Sequence, residues 1–224
     1  MQCSVNSCNL PNTFPELVKY IPMTLLLAIL SMLLAIVLGG IITLLHFSHY
    51  KVIHWFASIY VSFFRGMPAL VQLFLIYYGL PQIFPIFKGL PAIIATVIGL
   101  GFKQSAYLSE VFRAAVNSVD RGQIEAGQSL NIKSFKIFRY VILPQAFINA
   151  LPATGNTFVG LLKETSLAFT LGITEVFAEG KMLAGDSFKY FETYLAVGLT
   201  YWVLIILYSW AQSGVERVLN TPYS

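Results

Sequence analysis

Apolar positions along this chain come in long, unbroken blocks. Asp, Glu, Lys and Arg are absent from Tyr20 to Tyr50, from Gly66 to Phe87, from Tyr140 to Leu162 and from Thr193 to Val215. Each block is about 20 residues or longer, enough helix to cross about 30 Å of hydrocarbon. Backbone amides in hydrocarbon need internal partners, which helices supply, and the short alternating segments of a β-barrel are not visible. The pattern predicts an all-α integral membrane fold with about five transmembrane helices, at about 17–47, 54–84, 89–116, 136–163 and 191–216. The third has the shortest uncharged stretch, Gly89 to Phe102, and must take in Lys103 and Glu110. Thr165–Thr174 is apolar but too short to cross, and reads as a re-entrant or interfacial segment. With no internal repeat or linker, residues 1–224 read as a single transmembrane domain.

Composition agrees with the pattern. Hydrophobic residues make up 57% of the chain and charged residues 11%, where a soluble domain carries about a quarter charged. The opening is not expected to be a cleavable signal, since it lacks basic residues and its first apolar run exceeds a signal-peptide core. Cys3 and Cys8, both in the polar leader, are read as incidental, with a small disulfide loop as the alternative in an oxidising compartment.

The distribution of charge matters more than its sum. Between the third and fourth spans stand Arg113, Arg121, Lys133, Lys136 and Arg139 against Asp120 and Glu125. Between the fourth and fifth stand Glu164, Glu175, Glu179 and Asp186 against Lys163, Lys181 and Lys189. Lys and Arg gather on the cytoplasmic side of membrane proteins. The basic segment is therefore expected inside, which puts the N-terminus outside and the C-terminus in the cytoplasm.

That basic segment holds the clearest local signal. Glu125, Ala126 and Gly127 are followed by Asn131 and then by Val141-Ile142-Leu143-Pro144. A short helix is predicted over about 121–131, outside the bilayer, with Asn131 as a left-handed terminator and a second helix beginning near Lys133. A short helix between two spans is a shape suited to docking into another protein; an ordinary connecting loop is the plainer alternative.

These residues resemble a known family, the membrane permease subunits of bacterial ABC importers, in the polar amino acid branch that includes histidine, glutamine and arginine permeases. Its cytoplasmic loop has the pattern E-A-A-x3-G-x9-I-x-L-P, matched here by Glu125, Ala126, Gly127, Asn131 in place of Gly, Val141, Leu143 and Pro144. Three further segments are similar to that branch in the same order: Phe64-Arg65-Gly66-Met67-Pro68-Ala69-Leu70-Val71-Gln72, Ser105 to Arg113, and Leu162-Lys163-Glu164-Thr165-Ser166-Leu167. The resemblance implies a cytoplasmic coupling helix in which Glu125, Ala126, Gly127, Ser129, Leu130 and Asn131 meet an ATPase subunit. It further implies two ABC ATPase subunits, a second permease subunit (identical or related), an extracytoplasmic amino-acid-binding protein, and residence in the bacterial inner membrane. The chain has no G-x-x-x-x-G-K-[ST] phosphate loop, so no cofactor is expected in it and ATP and Mg are expected in the partner. It is read as a non-catalytic subunit, with neither a metal cluster nor a nucleophile motif.

Ionisable groups within spans cost roughly 2.5–3.5 kcal/mol each and are functional candidates. A zwitterionic solute needs a cation for its carboxylate, and an anion or carbonyls for its ammonium. Arg65 or Lys103 could serve the first role and Glu110 or Glu164 the second, with Gln72, Gln104, Tyr107 and Thr165 as neutral donors. Lys103 stands where the family more often has a small polar residue. The plain alternatives are a snorkelling Lys103, an Arg65 marking a helix end, and a Glu110 paired with Arg113 at i+3. Pro68, Pro81, Pro144, Pro152, Gly155 and Gly160 interrupt or loosen the spans, as helices lining a cavity tolerate. Trp55, Tyr77, Tyr78, Tyr201 and Trp210 read as interfacial anchors or lipid contacts rather than ligand stackers. Two further readings are an ion-coupled secondary carrier using Glu110, disfavoured by the missing inverted repeat, and a non-transporting membrane anchor.

Overall fold

The structure is a computed structural model and describes residues 10–220; Cys3 and Cys8, with their possible disulfide, lie outside them. Eleven α-helices are numbered here in chain order. A short α1 (Leu10–Val18) leads into α2 (Ile21–His46), which runs parallel to α6 (Ala92–Asn117), Leu34 meeting Gly101 and Thr43 meeting Ser109, and makes with it the most extensive helix pair in the fold. Between these lie α3 (Lys51–Gly66) and α4 (Ala69–Phe74), the latter continued by a π-turn at Leu75–Gly79 into α5 (Leu80–Ile83).

Among the described residues, Thr13–His46, Ala92–Asn117 and Tyr190–Leu219 are long and apolar enough to cross a membrane as single helices. The span predicted at about 54–84 is not one straight helix: Lys51–Gly66 and Ala69–Ile83 meet at 107°. Pro68 has no backbone N–H to donate and excludes the preceding Met67 from helical geometry, leaving it extended at φ −94°, ψ 135°. Gln72 then fixes the break, donating through Nε2 to Phe64 O at 2.9 Å and Met67 O at 3.1 Å.

The span predicted at about 136–163 is an unbroken helical run, though it is not among the helices apolar enough to cross by themselves. It consists of α8 (Ser134–Ile137), a π-turn at Phe138–Ile142 and α9 (Leu143–Glu164). With Asn149, Thr154, Asn156 and Thr157 along it, α9 is more polar than the other long helices. After it, Thr165–Leu171 forms a 3₁₀ helix, α10 (Val176–Ser187) follows, and α11 (Tyr190–Asn220) closes the chain. The apolar 165–174 segment, expected to be re-entrant or interfacial, is this 3₁₀ helix and the turn after it.

Small residues set how close the long helices come. A Cβ on Gly39 of α2 would sit 3.0 Å from Leu108 Cβ and 3.1 Å from the Ser105 carbonyl of α6. Thr43 Oγ1, one turn on, donates across the same crossing to Ser109 O at 3.1 Å. Such close backbone approach is the usual basis of helix packing in lipid, where apolar burial gives no preference for a protein neighbour. Around it the main core joins Ala28, Met32 and Ala35 of α2 to Leu73, Leu100, Leu108, Phe158 and Leu161.

One buried carboxylate escaped the sequence reading. Glu175 is fully buried and caps α10 by accepting from Ala178 N at 2.9 Å. It also accepts from Thr24 Oγ1 at 3.2 Å and from the Tyr201 hydroxyl at 2.6 Å, joining α2, α10 and α11. Tyr201 is therefore held by an internal partner and is not the interfacial anchor predicted for it. Trp55 and Trp210, 65% and 80% exposed, fit that role.

Candidate functional site

Residues that the sequence offered as one set divide into two cavities and a frame. The first cavity, about 380 Å³, lies between α6 and α9 and is lined by Lys103, Gln104, Tyr107, Asn156, Thr157, Gly160 and Glu164. That volume is within the range of small-molecule sites. Lys103 and Glu164 form an ion pair across it, through Nζ and Oε1. Gln104 Nε2 donates to the other carboxylate oxygen, Oε2, at 2.9 Å. Opposite charges thus stand side by side with their hydrogen-bonding edges open to one space.

The second cavity, about 480 Å³, is lined on α3 by His54, Ser58, Val61, Ser62 and Arg65, and elsewhere by His46, Glu110 and Arg113. Glu110 is bonded to Arg113 at 2.5 Å, the i+3 pair foreseen as the plainer alternative. Arg65 belongs here, so two of the eight predicted solute contacts sit apart from Lys103 and Glu164.

Two other candidates belong to the frame. Gln72 is 2% exposed and spends its amide nitrogen on the α3–α4 break, its Oε1 being buried without a partner among the described residues. Thr165 is fully buried, its hydroxyl donating back to Leu162 O at 2.8 Å. Conversely, Asn156, Thr157 and Gly160 line the first cavity and were not named as contacts. Their signal was the i, i+4, i+8 row of residues 156, 160 and 164, one face of a helix.

The predicted short helix is present as α7 (Arg121–Ser129). Asp120 caps it by accepting from Gly122 N at 2.5 Å. Asn131 is left-handed, φ 56°, and the chain leaves through paired bonds from Asn131 N to Gln128 O (2.8 Å) and from Ile132 N to Gly127 O (3.0 Å). This is the Schellman ending, for which Asn can replace Gly. Gly127 packs on Ile137 of α8: a Cβ there would lie 2.9 Å from the flexible Cδ1 end, so alanine fits with a small shift. Glu125, Ala126, Ser129, Leu130 and Asn131 are exposed, and Leu130 (76%), Ile132 and Phe135 (75%) add an apolar rim. That leaves a short, rigidly terminated helix with an open face beside the bundle.

Long apolar helices, a broken span, a charged cavity between two helices and a short exposed helix beside the bundle are the parts of a polytopic transport component. Residues 31–220 match the family of binding-protein-dependent transport system inner membrane components, and the chain belongs to that family. The probable amino-acid permease protein YxeN of Bacillus subtilis (strain 168) is 56% identical over 212 residues, 95% of each chain. The L-cystine transport system permease protein TcyL of the same organism is 35% identical, covering 91% of this chain and 87% of that one. Among solved structures, a chain from the crystal structure of an amino acid ABC transporter with histidines superposes with a TM-score of 0.86 at 35% identity, covering 96% of this chain and 99% of that one. The protein is a multi-pass inner-membrane permease and a non-catalytic subunit of its transport system.

Proposed function

We propose that this chain forms the translocation pathway of an ATP-driven importer for polar amino acids and holds its solute in the α6–α9 cavity. One observation carries the reading: Lys103 and Glu164 present a cation and an anion to one open cavity between α6 and α9, the complement of an amino acid's carboxylate and ammonium. Gln104 and Tyr107 add neutral donors, with Asn156 and Thr157 on the facing wall. Binding would compete with the internal ion pair, so the solute exchanges one set of charge-assisted bonds for another. This allows affinity without trapping.

The remaining parts follow the family. Two ATPase subunits bind ATP and Mg and engage α7 through Glu125, Ala126, Gly127, Ser129, Leu130 and Asn131. A second permease subunit, identical or related, completes the pathway, and an extracytoplasmic binding protein delivers the amino acid. The basic segment faces the cytoplasm, with the N-terminus outside and the C-terminus inside, and the chain acts as one transmembrane domain of about five spans. The names of its relatives support an amino acid as solute, and family membership sets the ion-coupled secondary carrier aside.

The test is uptake into proteoliposomes holding the permease with its co-purified ATPase, using radiolabelled histidine, arginine, glutamine and cystine. The reading expects ATP-dependent accumulation of at least one of the four and none by the permease alone. Uptake by the lone chain under an ion gradient would contradict it.

A further inference from the structure

The second cavity has no part in the reading above. Its walls have a direction. Along α6, Lys103, Tyr107 and Glu110 fall on one face, and Lys103 to Arg113 is a rise of roughly 15 Å toward the basic end of the helix. Tyr107 stands at the join: its ring centroid is 5.7 Å from Lys103 Nζ and 5.3 Å from Arg65 Cζ. The two cations thus flank one aromatic ring, Lys103 lining the first cavity and Arg65 the second.

α3 is built to border such a space. His54, Ser58, Ser62 and Arg65 recur at helical spacing and line the cavity. Val52, Trp55, Phe56, Ile59 and Phe63 form an exposed apolar stripe on the opposite side. A helix with lipid on one flank and polar groups on the other borders an aqueous path, where intramembrane charge is tolerated. The charges within do not cancel. Glu110 is committed to Arg113, and among the described residues no carboxylate lies within ion-pair distance of Arg65. A free guanidinium fork matches a carboxylate in two parallel bonds.

We propose that this cavity is a second solute site, an exit station where Arg65 takes the amino acid's carboxylate after it leaves Lys103, with Tyr107 as the partition between the two. The solute's identity rests on the pathway reading above; the site itself rests on the cavity, the two-faced helix and the uncompensated Arg65. An amino acid crossing from one cavity to the other keeps a cation against its carboxylate on both sides of the ring. The barrier to leaving Lys103 is lowered accordingly.

The experiment uses the full permease–ATPase complex in inside-out vesicles, with Cys3→Ser and Cys8→Ser removing the native thiols and Ser62→Cys placing one in the second cavity. Labelling by a charged thiol reagent is followed with and without histidine, arginine, glutamine or cystine. The proposal expects labelling from the exposed cytoplasmic face, slowed several-fold by at least one of the four. Arg65→Gln should abolish that protection and Arg65→Lys restore part of it, with ATPase co-purification reporting assembly. Lys103→Gln should abolish uptake yet leave protection in place. No protection by any of the four, protection that survives Arg65→Gln, protection lost with Lys103→Gln, or labelling from the outer face alone would each overturn the proposal. Should Lys103→Gln leave uptake intact while protection still depends on Arg65, the first-cavity assignment falls and the exit site stands.

Discussion

Gln104 of α6 donates to Glu164 of α9 over 2.9 Å while Lys103, its neighbour in sequence, pairs with the other oxygen of the same carboxylate. Two adjacent residues of one helix thus share a single acidic partner 60 positions away. Glu164→Gln keeps the shape but leaves Lys103 without its anion. Uptake should fall at least about tenfold, equivalent to about 1.4 kcal/mol in binding or transition-state free energy. Lys103→Gln should act in the same direction, and the double variant should cost less than the sum of the two, because each single change already removes the shared pair. Initial uptake rates in proteoliposomes check this.

Gly39 and Gly160 predict opposite outcomes for the same substitution. Gly39 has the Leu108 Cβ and the Ser105 backbone within 3.0–3.1 Å of any added Cβ, so Gly39→Leu should destabilise by about 1–3 kcal/mol or more. Gly160 has nothing within 4 Å of its ideal Cβ and lines the first cavity. Gly160→Leu should fold with unchanged thermal stability but block uptake by filling the space. Thermal unfolding in detergent separates the pair.

Glu175 serves three donors, so its loss should cost more than the loss of any one of them. Glu175→Ala removes a helix cap and orphans a tyrosine hydroxyl, for about 2–4 kcal/mol in all. Tyr201→Phe removes one donor and should cost about 1 kcal/mol. The order of midpoints in thermal unfolding is the readout, and equal effects would show that the carboxylate is not the centre of this network.

Asn131 ends α7 in the left-handed region at φ 56°. Asn131→Gly should be neutral or mildly stabilising to the turn, whereas Asn131→Val forces a β-branched residue into a disfavoured region at about 1–2 kcal/mol. If α7 is the coupling helix, Asn131→Val should lower ATP-driven uptake while leaving binding of the amino acid unchanged. Isothermal titration and uptake on the same preparation give the comparison.

What was legible in the sequence is what local chemistry fixes. The α7 helix and its Asn131 terminator follow from residues within one turn, and the Glu110–Arg113 pair follows from i+3 spacing. The uncharged blocks gave the long helices because bilayer thickness demands them. The 107° break was half legible: Pro68 marks its position, but the angle depends on Gln72 bonding two carbonyls around the corner. The partner of Lys103 was not legible, because residues 103 and 164 meet only once α6 and α9 pack. Glu175 was missed because it reads as loop acidity until Thr24 and Tyr201 are brought to it from other helices. Gln72 and Thr165 were read as solute contacts because a polar residue in a span looks functional until its backbone partner is seen.

The proposed function stands on the α6–α9 cavity binding an amino acid through both of its charges. The most direct measurement is thermal unfolding of the permease–ATPase complex carrying Arg65→Gln, which leaves only the first cavity to hold solute, with histidine, arginine, glutamine or cystine, since a ligand selective for the folded state raises its midpoint. A concentration-dependent rise is expected with at least one of them, lost in Glu164→Gln and absent with the corresponding amine lacking a carboxylate. A rise that persists in both Glu164→Gln and Lys103→Gln would place the solute outside the α6–α9 cavity.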